Sequence, residues 1–362
     1  MNTTLNFVGD LSKRAAECQI NSTHVPSLFQ VYETNNPPLL YPEKKQKLEP
    51  YIKDLVRFYQ ILQNNPELFK IFSYGNPGDD RFASLVLVKT ASQAYFAQHM
   101  VSADSFANAL ISFKLAELLK LENYGLQKLF RPDNRFSNRF YGEEAARMIN
   151  RLAGREVQSV VDFDFYEIDR TVDLQKSDDV VVKNVGFRHR KQIEMMAVES
   201  CDAIWAKSDG FFDEDLHLKK LGRSYGESGL EWGREFWFAS SPDSSEPQAM
   251  AIRYMGPKYL NMRDLFNRTE VLVKPGLDQK EQFKFIRGLM GHLIKTHPIH
   301  NQDILPFLVR NNAKNCIDVP GLPSAKRYRK SSLLPEGMGA ANEYLYSRYF
   351  KLLLKMYKKG SL

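Results

Sequence analysis

From Leu39 onward the hydrophobic period switches between 3.6 and 2 in a fixed order, and that order is read twice. Residues 49–62 (EPYIKDLVRFYQIL) put Tyr51, Leu55, Phe58 and Leu62 on one helical stripe. Strands are expected at 68–73, 81–88 and 93–101, the first two separated by the turn signal GNPGDD. A helix capped by Asp104 or Ser105 runs to about residue 121, then a strand at 126–130, a helix over 135–152 and a strand over 157–168. The second pass offers a strand at 180–185, helices at 191–204 and 212–221, and strands at 235–239, 249–254 and 269–273. It closes with a helix over 280–295, a strand at 303–309, a helix start at 311–317 and a terminal helix over 341–358.

Strands separated by helices imply a mixed sheet with crossovers, and a repeated order implies two copies of one domain. The polar stretch DRTVDLQKSDD at 169–179 marks the junction, giving domains at 39–170 and 180–362. Residues 1–38 read as an N-terminal arm, whose closing prolines favour extended chain.

A chain of 362 residues with 43% hydrophobic and 26% charged residues is globular and too long for one small core. No apolar run approaches the roughly 20 residues that cross a bilayer, and the first thirty residues do not resemble a signal peptide, so a cytoplasmic protein is expected. Cys18, Cys201 and Cys316 are far apart, and His297 and His300 form the one close histidine pair, so no metal is expected. The net charge of +7 points to an anionic partner: a phosphorylated cofactor, an acidic carrier protein, a membrane surface or nucleic acid. The excess shows in AKRYRK at 325–330 and LKMYKK at 354–359. Nucleic acid is the weaker reading, because Tyr344, Tyr346 and Tyr349 of the tail suit the packing face of a terminal helix.

In LQKLFRPDNRFSNRFYGEEAARMI a strand runs into a helix through Asn134, followed by Ser137 and Tyr141. This spacing and the repeated order resemble the GNAT acyltransferases, here in a tandem arrangement also seen in Fem-type aminoacyl ligases and N-myristoyltransferases. The resemblance implies an α/β (α+β) fold of two GNAT-like domains, each a mixed, mostly antiparallel twisted sheet flanked by helices. It implies transfer of an acyl group from acyl-CoA or an acyl carrier protein thioester to an amine. The alternative is a catalytically degenerate GNAT-like module that recognises an anionic ligand or a partner protein.

In such folds the fourth and fifth strands splay around the pantetheine arm, and the next helix turns its N-terminus to the pyrophosphate. Carried over to this sequence, the resemblance makes Tyr141 the acid for the leaving thiolate, and His99 and Glu270 candidate bases. Ser105, Asn134, Pro275, Gly276 and Asn311 fall where the cofactor would be held. The glycine-rich loop of the family is missing: HMVSADSFANAL at 99–110 has no glycine, and VKPGLDQKEQFKF at 273–285 has only Gly276. Asp162 and Asp164 alternate onto one face of a strand, as paired acids or a solvated edge. LGRSYGESG at 221–229 reads as a glycine-flanked loop without the Lys-Ser/Thr of a phosphate-binding loop.

Overall fold

The structure is a computed structural model that describes residues 13–14, 16–35, 39–103, 105–172, 174, 179–262, 265–297, 304–311, 316 and 319–358. In chain order its elements are β1 (Gln19–Ile20), α1 (Val25–Thr34), α2 (Pro42–Leu48), α3 (Ile52–Gln63), β2 (Phe69–Tyr74), β3 (Ala83–Ala91) and β4 (Ala94–Ser102). Then come α4 (Ser105–Leu121), β5 (Gly125–Phe130), α5 (Arg135–Tyr141), α6 (Glu143–Ala153), β6 (Gln158–Asp169), β7 (Val181–Val185), α7 (Arg190–Ser200), α8 (Ala203–Ser208) and α9 (Lys219–Glu227). Last are β8 (Gly233–Ser240), β9 (Ala249–Met255), β10 (Thr269–Val273), α10 (Gln279–Lys295), β11 (Ile304–Arg310), β12 (Lys326–Leu333) and α11 (Met338–Lys358).

These elements form two compact units. Unit 1 takes the described residues of Met1–Lys128, Glu143–Gln158 and Leu333–Leu362; unit 2 takes those of Leu129–Gly142 and Ser159–Ser332. The strand β6, which the sequence places at the end of the first copy, lies almost wholly within unit 2.

In unit 1, β1 to β4 pair antiparallel in order and β4 pairs parallel with β5. Every residue of β2 is buried, because both faces of the sheet are covered, and this is why FKIFSY and ASLVLV read as apolar runs rather than alternations. On one face Tyr59 of α3 meets Phe69 edge-on, with ring centroids 4.9 Å apart. On the other, Phe106 of α4 meets Tyr74 at 6.4 Å. The arm expected over 1–38 is different where it is described. Gln19 and Ile20 add a strand to β2, and α1 buries Val25, Leu28, Phe29 and Tyr32, an i, i+3, i+4, i+7 stripe behind a proline in the first turn.

In unit 2, β7 to β10 pair antiparallel, β10 pairs parallel with β11, and β11 pairs antiparallel with β6, whose other neighbour is β12. Its core joins Tyr166 and Ile168 of β6, Ala251 of β9, Val271 of β10 and Phe307 of β11 to Phe285, Leu289, Met290 and Leu293 of α10.

Three further expectations change, and a fourth is not tested. The helix over 135–152 breaks at Gly142, which caps α5 in extended backbone. The helix placed at 212–221 instead spans Lys219–Glu227, so Gly222 and Gly226 lie inside α9 and the glycine-flanked loop does not exist. The basic stretch at 325–330 is part of β12, a strand missing from the sequence reading. The expected turn into a helix at 311–317 falls largely outside the described residues.

Candidate functional site

In unit 1 the chemistry gathers on β4. The β3–β4 register shifts between Ser84, paired with Val101, and Val86, paired with Gln98, so His99 and Met100 stand opposite Leu85 in a bulge. His99 takes φ +49°, a conformation that costs a non-glycine residue energy and turns its side chain out of the regular pleat. The buried His99 shares a hydrogen bond through Nδ1 with the Tyr59 hydroxyl and packs 5.8 Å from the ring of Tyr32. The Tyr32 hydroxyl is buried without a hydrogen-bond partner among the described residues, and burial raises both tyrosines well above the usual phenol value. Beside this cluster, the parallel ladder of β4 and β5 holds only three residue pairs, Ala94 with Gly125, Tyr95 with Leu126 and Phe96 with Gln127. β4 then continues to Ser102 and β5 to Phe130. Ser105, the first residue of α4, is positioned by its backbone, and α4 has no acidic residue in its first turn.

In unit 2 the equivalent parallel pair is β10 and β11, and there the opening is filled by the chain itself. Pairing ends at Val271 with Val309. Beyond it Ser200 donates to the carbonyl of Val273 at 3.1 Å, and Arg310 donates to the carbonyls of Ser200, Asp162 and Asn311 at 2.9, 2.8 and 3.0 Å. Asp278 caps α10, its carboxylate accepting from the N–H of Glu281 at 2.8 Å, so this helix N-terminus already has its anion. Pro275 and Gly276 lie in the exposed loop before it, with Gly276 at φ +91°.

Glu270 is fully buried, but it is not an isolated carboxylate. Its Oε1 accepts from Arg268 at 2.7 Å and from Lys330 at 3.2 Å. Lys330 also donates to Asp209 Oδ2 at 2.5 Å, and its ammonium faces the rings of Trp205 and Tyr254 at 4.9 and 5.9 Å. Burial pushes the Asp209 carboxyl up, but Lys330, Arg268 and Arg234 more than offset this and hold it below the usual carboxylate range. Arg234 of β8 is spent on the loop that carries Asp209, donating to the carbonyls of Asp209 at 2.6 Å and Leu216 at 2.6 and 2.9 Å.

Asp162 and Asp164 are neither a solvated edge nor a metal pair. Asp164 is buried between Asn311, which donates at 2.5 Å, and Arg327 at 3.2 Å; Asp162 meets Arg329 at 2.9 Å and Arg327 at 3.5 Å. Asn311 is thereby committed to Asp164. Asn134 accepts from the N–H of Ser137 at 2.9 Å as the cap of α5. Tyr141 packs 6.4 Å from Phe130, and burial pushes its phenol up to about 12. Asn134, Tyr141, Glu270 and Asn311 belong to unit 2; His99 and Ser105 belong to unit 1. Among the described residues no group of three or more His, Cys, Asp or Glu side chains could hold a metal, and no helix is long and apolar enough to cross a membrane. His300 lies outside the described residues.

Tyr59, Asp209, Arg268 and Lys330 were not singled out by the sequence. Tyr59 carried a signal, as a polar residue on the buried stripe of α3 with Leu55 and Leu62. Lys330 carried another, alternating with Tyr328 and Ser332 on one face of β12.

No family model and no curated relative matches the chain. Among solved structures it is similar to a putative acetyltransferase from Pyrococcus horikoshii, at 10% identity and a TM-score of 0.41, over 88% of this chain and 89% of that one. It is similar to a GCN5-related N-acetyltransferase from Kribbella flavida, at 8% identity and a TM-score of 0.39, over 69% of this chain and 86% of that one. A tandem GNAT protein from the clavulanic acid biosynthesis pathway is similar at 8% identity and a TM-score of 0.37, over 76% of this chain and 87% of that one. Likeness this distant assigns no role to any residue here, and the chain's own geometry carries the functional reading.

Proposed function

We propose that the protein is an acyltransferase, that its first copy takes a thioester donor, and that the acyl group passes to an amine. One observation carries the proposal: the β4–β5 ladder stops at Phe96 and Gln127 while both strands run on. Diverging extended edges accept an amide-bearing arm between them as an added strand, and pantetheine is such an arm. The first turn of α4, without an acidic residue, suits the phosphates of acyl-CoA or of a carrier protein's prosthetic group. A net charge of +7 favours an acidic carrier as donor through electrostatic steering. Such donors are cytoplasmic, in keeping with the three unlinked cysteines.

In this reading the amine nitrogen attacks the thioester carbonyl, a C–N bond forms, and the C–S bond breaks to release the thiolate. His99 takes the amine proton, and Tyr59 is its positioning residue. The thiolate takes its proton from solvent; Tyr141 lies in unit 2, and burial makes its phenol a weaker acid than a free one. The second copy supports rather than transfers, since Glu270 is bound to two cations and Ser200 and Arg310 fill the opening.

Thermal denaturation with acetyl-CoA, long-chain acyl-CoAs and acylated carrier protein tests the donor. A saturable rise in melting temperature is expected with at least one, about 2.7 kcal/mol of added stability at a hundred times Kd. With that donor and an amine, thiol release is expected to fall about a hundredfold in His99→Ala, with the donor shift retained, and to be unchanged in Glu270→Gln. No shift with any donor at millimolar concentration would sink the reading and leave the binding module for an anionic ligand.

A further inference from the structure

The side chain of Lys330 is held as a bound ligand would be. It enters from β12 into a fully buried enclosure whose walls come from four other places in unit 2: Trp205 on α8, Asp209 just after it, Tyr254 on β9 and Glu270 on β10. An ammonium has three donors and no acceptor, and it is recognised by carboxylate oxygens and by aromatic faces. Both are here: Asp209 Oδ2 at 2.5 Å, Glu270 Oε1 at 3.2 Å, and the rings of Trp205 and Tyr254. One further acceptor of the same walls has capacity to spare: Glu270 Oε2 is buried and has no hydrogen-bond partner among the described residues, and the Glu270 side chain is wholly shut off from solvent. A plain structural ion pair needs one carboxylate and no aromatic wall; this enclosure supplies more recognition than the pair uses.

We propose that the enclosure is a site for an unbranched primary ammonium, and that the chain fills it from within with Lys330. The occupant is covalently attached through β12, so no external amine enters while that strand is in place. The site stands on its own geometry. On the transfer reading, the second copy, with its amine position self-occupied, receives no outside acceptor.

Lys330→Ala removes Cγ, Cδ, Cε and Nζ, which are the heavy atoms of n-propylammonium. The variant is expected to melt below the parent protein, and n-propylammonium is expected to restore the loss saturably, whereas n-propanol, tetramethylammonium and potassium chloride at equal concentration are not. Asp209→Asn added to that variant is expected to raise the half-saturating n-propylammonium concentration about tenfold. Lys330→Met fills the same volume without charge and is expected to give no response. A rise that n-propanol matches, a response of equal size in Lys330→Met, or no saturable rise at all would overturn the proposal. Should Lys330→Ala not accumulate as folded protein, it is refolded with and without n-propylammonium, and equal recovery in the two overturns the proposal as well. None of these readouts involves a thioester donor, so a failed transfer assay leaves this result standing, and the reverse.

Discussion

Glu270 sits on a strand among valine and leucine, and on that ground alone a carboxylate would be pushed toward the neutral form and serve as a base. Its partners are instead Arg268, two residues away, and Lys330, sixty residues away. The partner of Asp209 is farther still, 121 residues along the chain. Positions such as His99, Glu270 and Asn311 were legible as strand-borne polar residues, but pairings across such separations depend on which strands meet, and no local spacing reports that. The Asp209 pair has a consequence in acid. Because Lys330 and the two arginines hold its carboxyl below the usual range, its stabilisation is present in full above the unfolded value of about 3.9 and is lost as the pH falls below that. Asp209→Asn is therefore expected to be less stable than the parent protein at pH 7, by about 3 kcal/mol, and to approach it progressively as the pH falls below about 4. Urea midpoints across that range check this; two curves that stay parallel would show that Asp209 is not the group involved.

At the scale of elements, strands buried on both faces, such as β2 and β3, announced themselves as short apolar runs, and α10 and α4 by their length. β12 did not, because Lys326, Arg327, Arg329 and Lys330 look like a solvated charge run. Its register explains the charges: Arg327 and Arg329 alternate just as Asp162 and Asp164 do on the neighbouring β6, and Lys326 meets Glu167 at 3.0 Å. A stretch that suggested phosphate contacts is neutralised by the protein's own acids. The tyrosines of the tail follow suit, with Tyr344 buried and Tyr346 5.2 Å from Phe113. The misplaced α9 has a similar lesson, since its glycines looked like loop residues. Gly222 is there for closeness: a Cβ would stand 2.6 Å from the carbonyl oxygen of Trp232. Gly222→Ala is expected to lower stability by about 1–3 kcal/mol despite its better helix propensity, read as a shift in urea midpoint at constant m-value. A stabilised variant would mean that the Trp232 segment yields.

For the molecule as a whole, the repeated order of elements was legible, but the assignment of segments to units was not, because it depends on strands that leave their own copy. β6 pairs with β11 along seven residue pairs from Ile304 with Asp169 to Arg310 with Phe163. A fragment of residues 180–362 lacks β6 and α5, and leaves β11 with a bare edge. It is expected to show no cooperative thermal transition by circular dichroism, whereas the full chain melts cooperatively; a cooperative melt of the fragment would show that β6 is dispensable. The interleaving reaches its limit at α11, which packs on α4 and α6 in unit 1 although it follows every strand of unit 2 in sequence. Domains usually form in the order in which the ribosome releases them. Here the unit that begins first is completed last: the sides of α4 and α6 that α11 covers leave the exit tunnel bare and stay so until residues 338–358 emerge, which makes the nascent first half a natural client for chaperones.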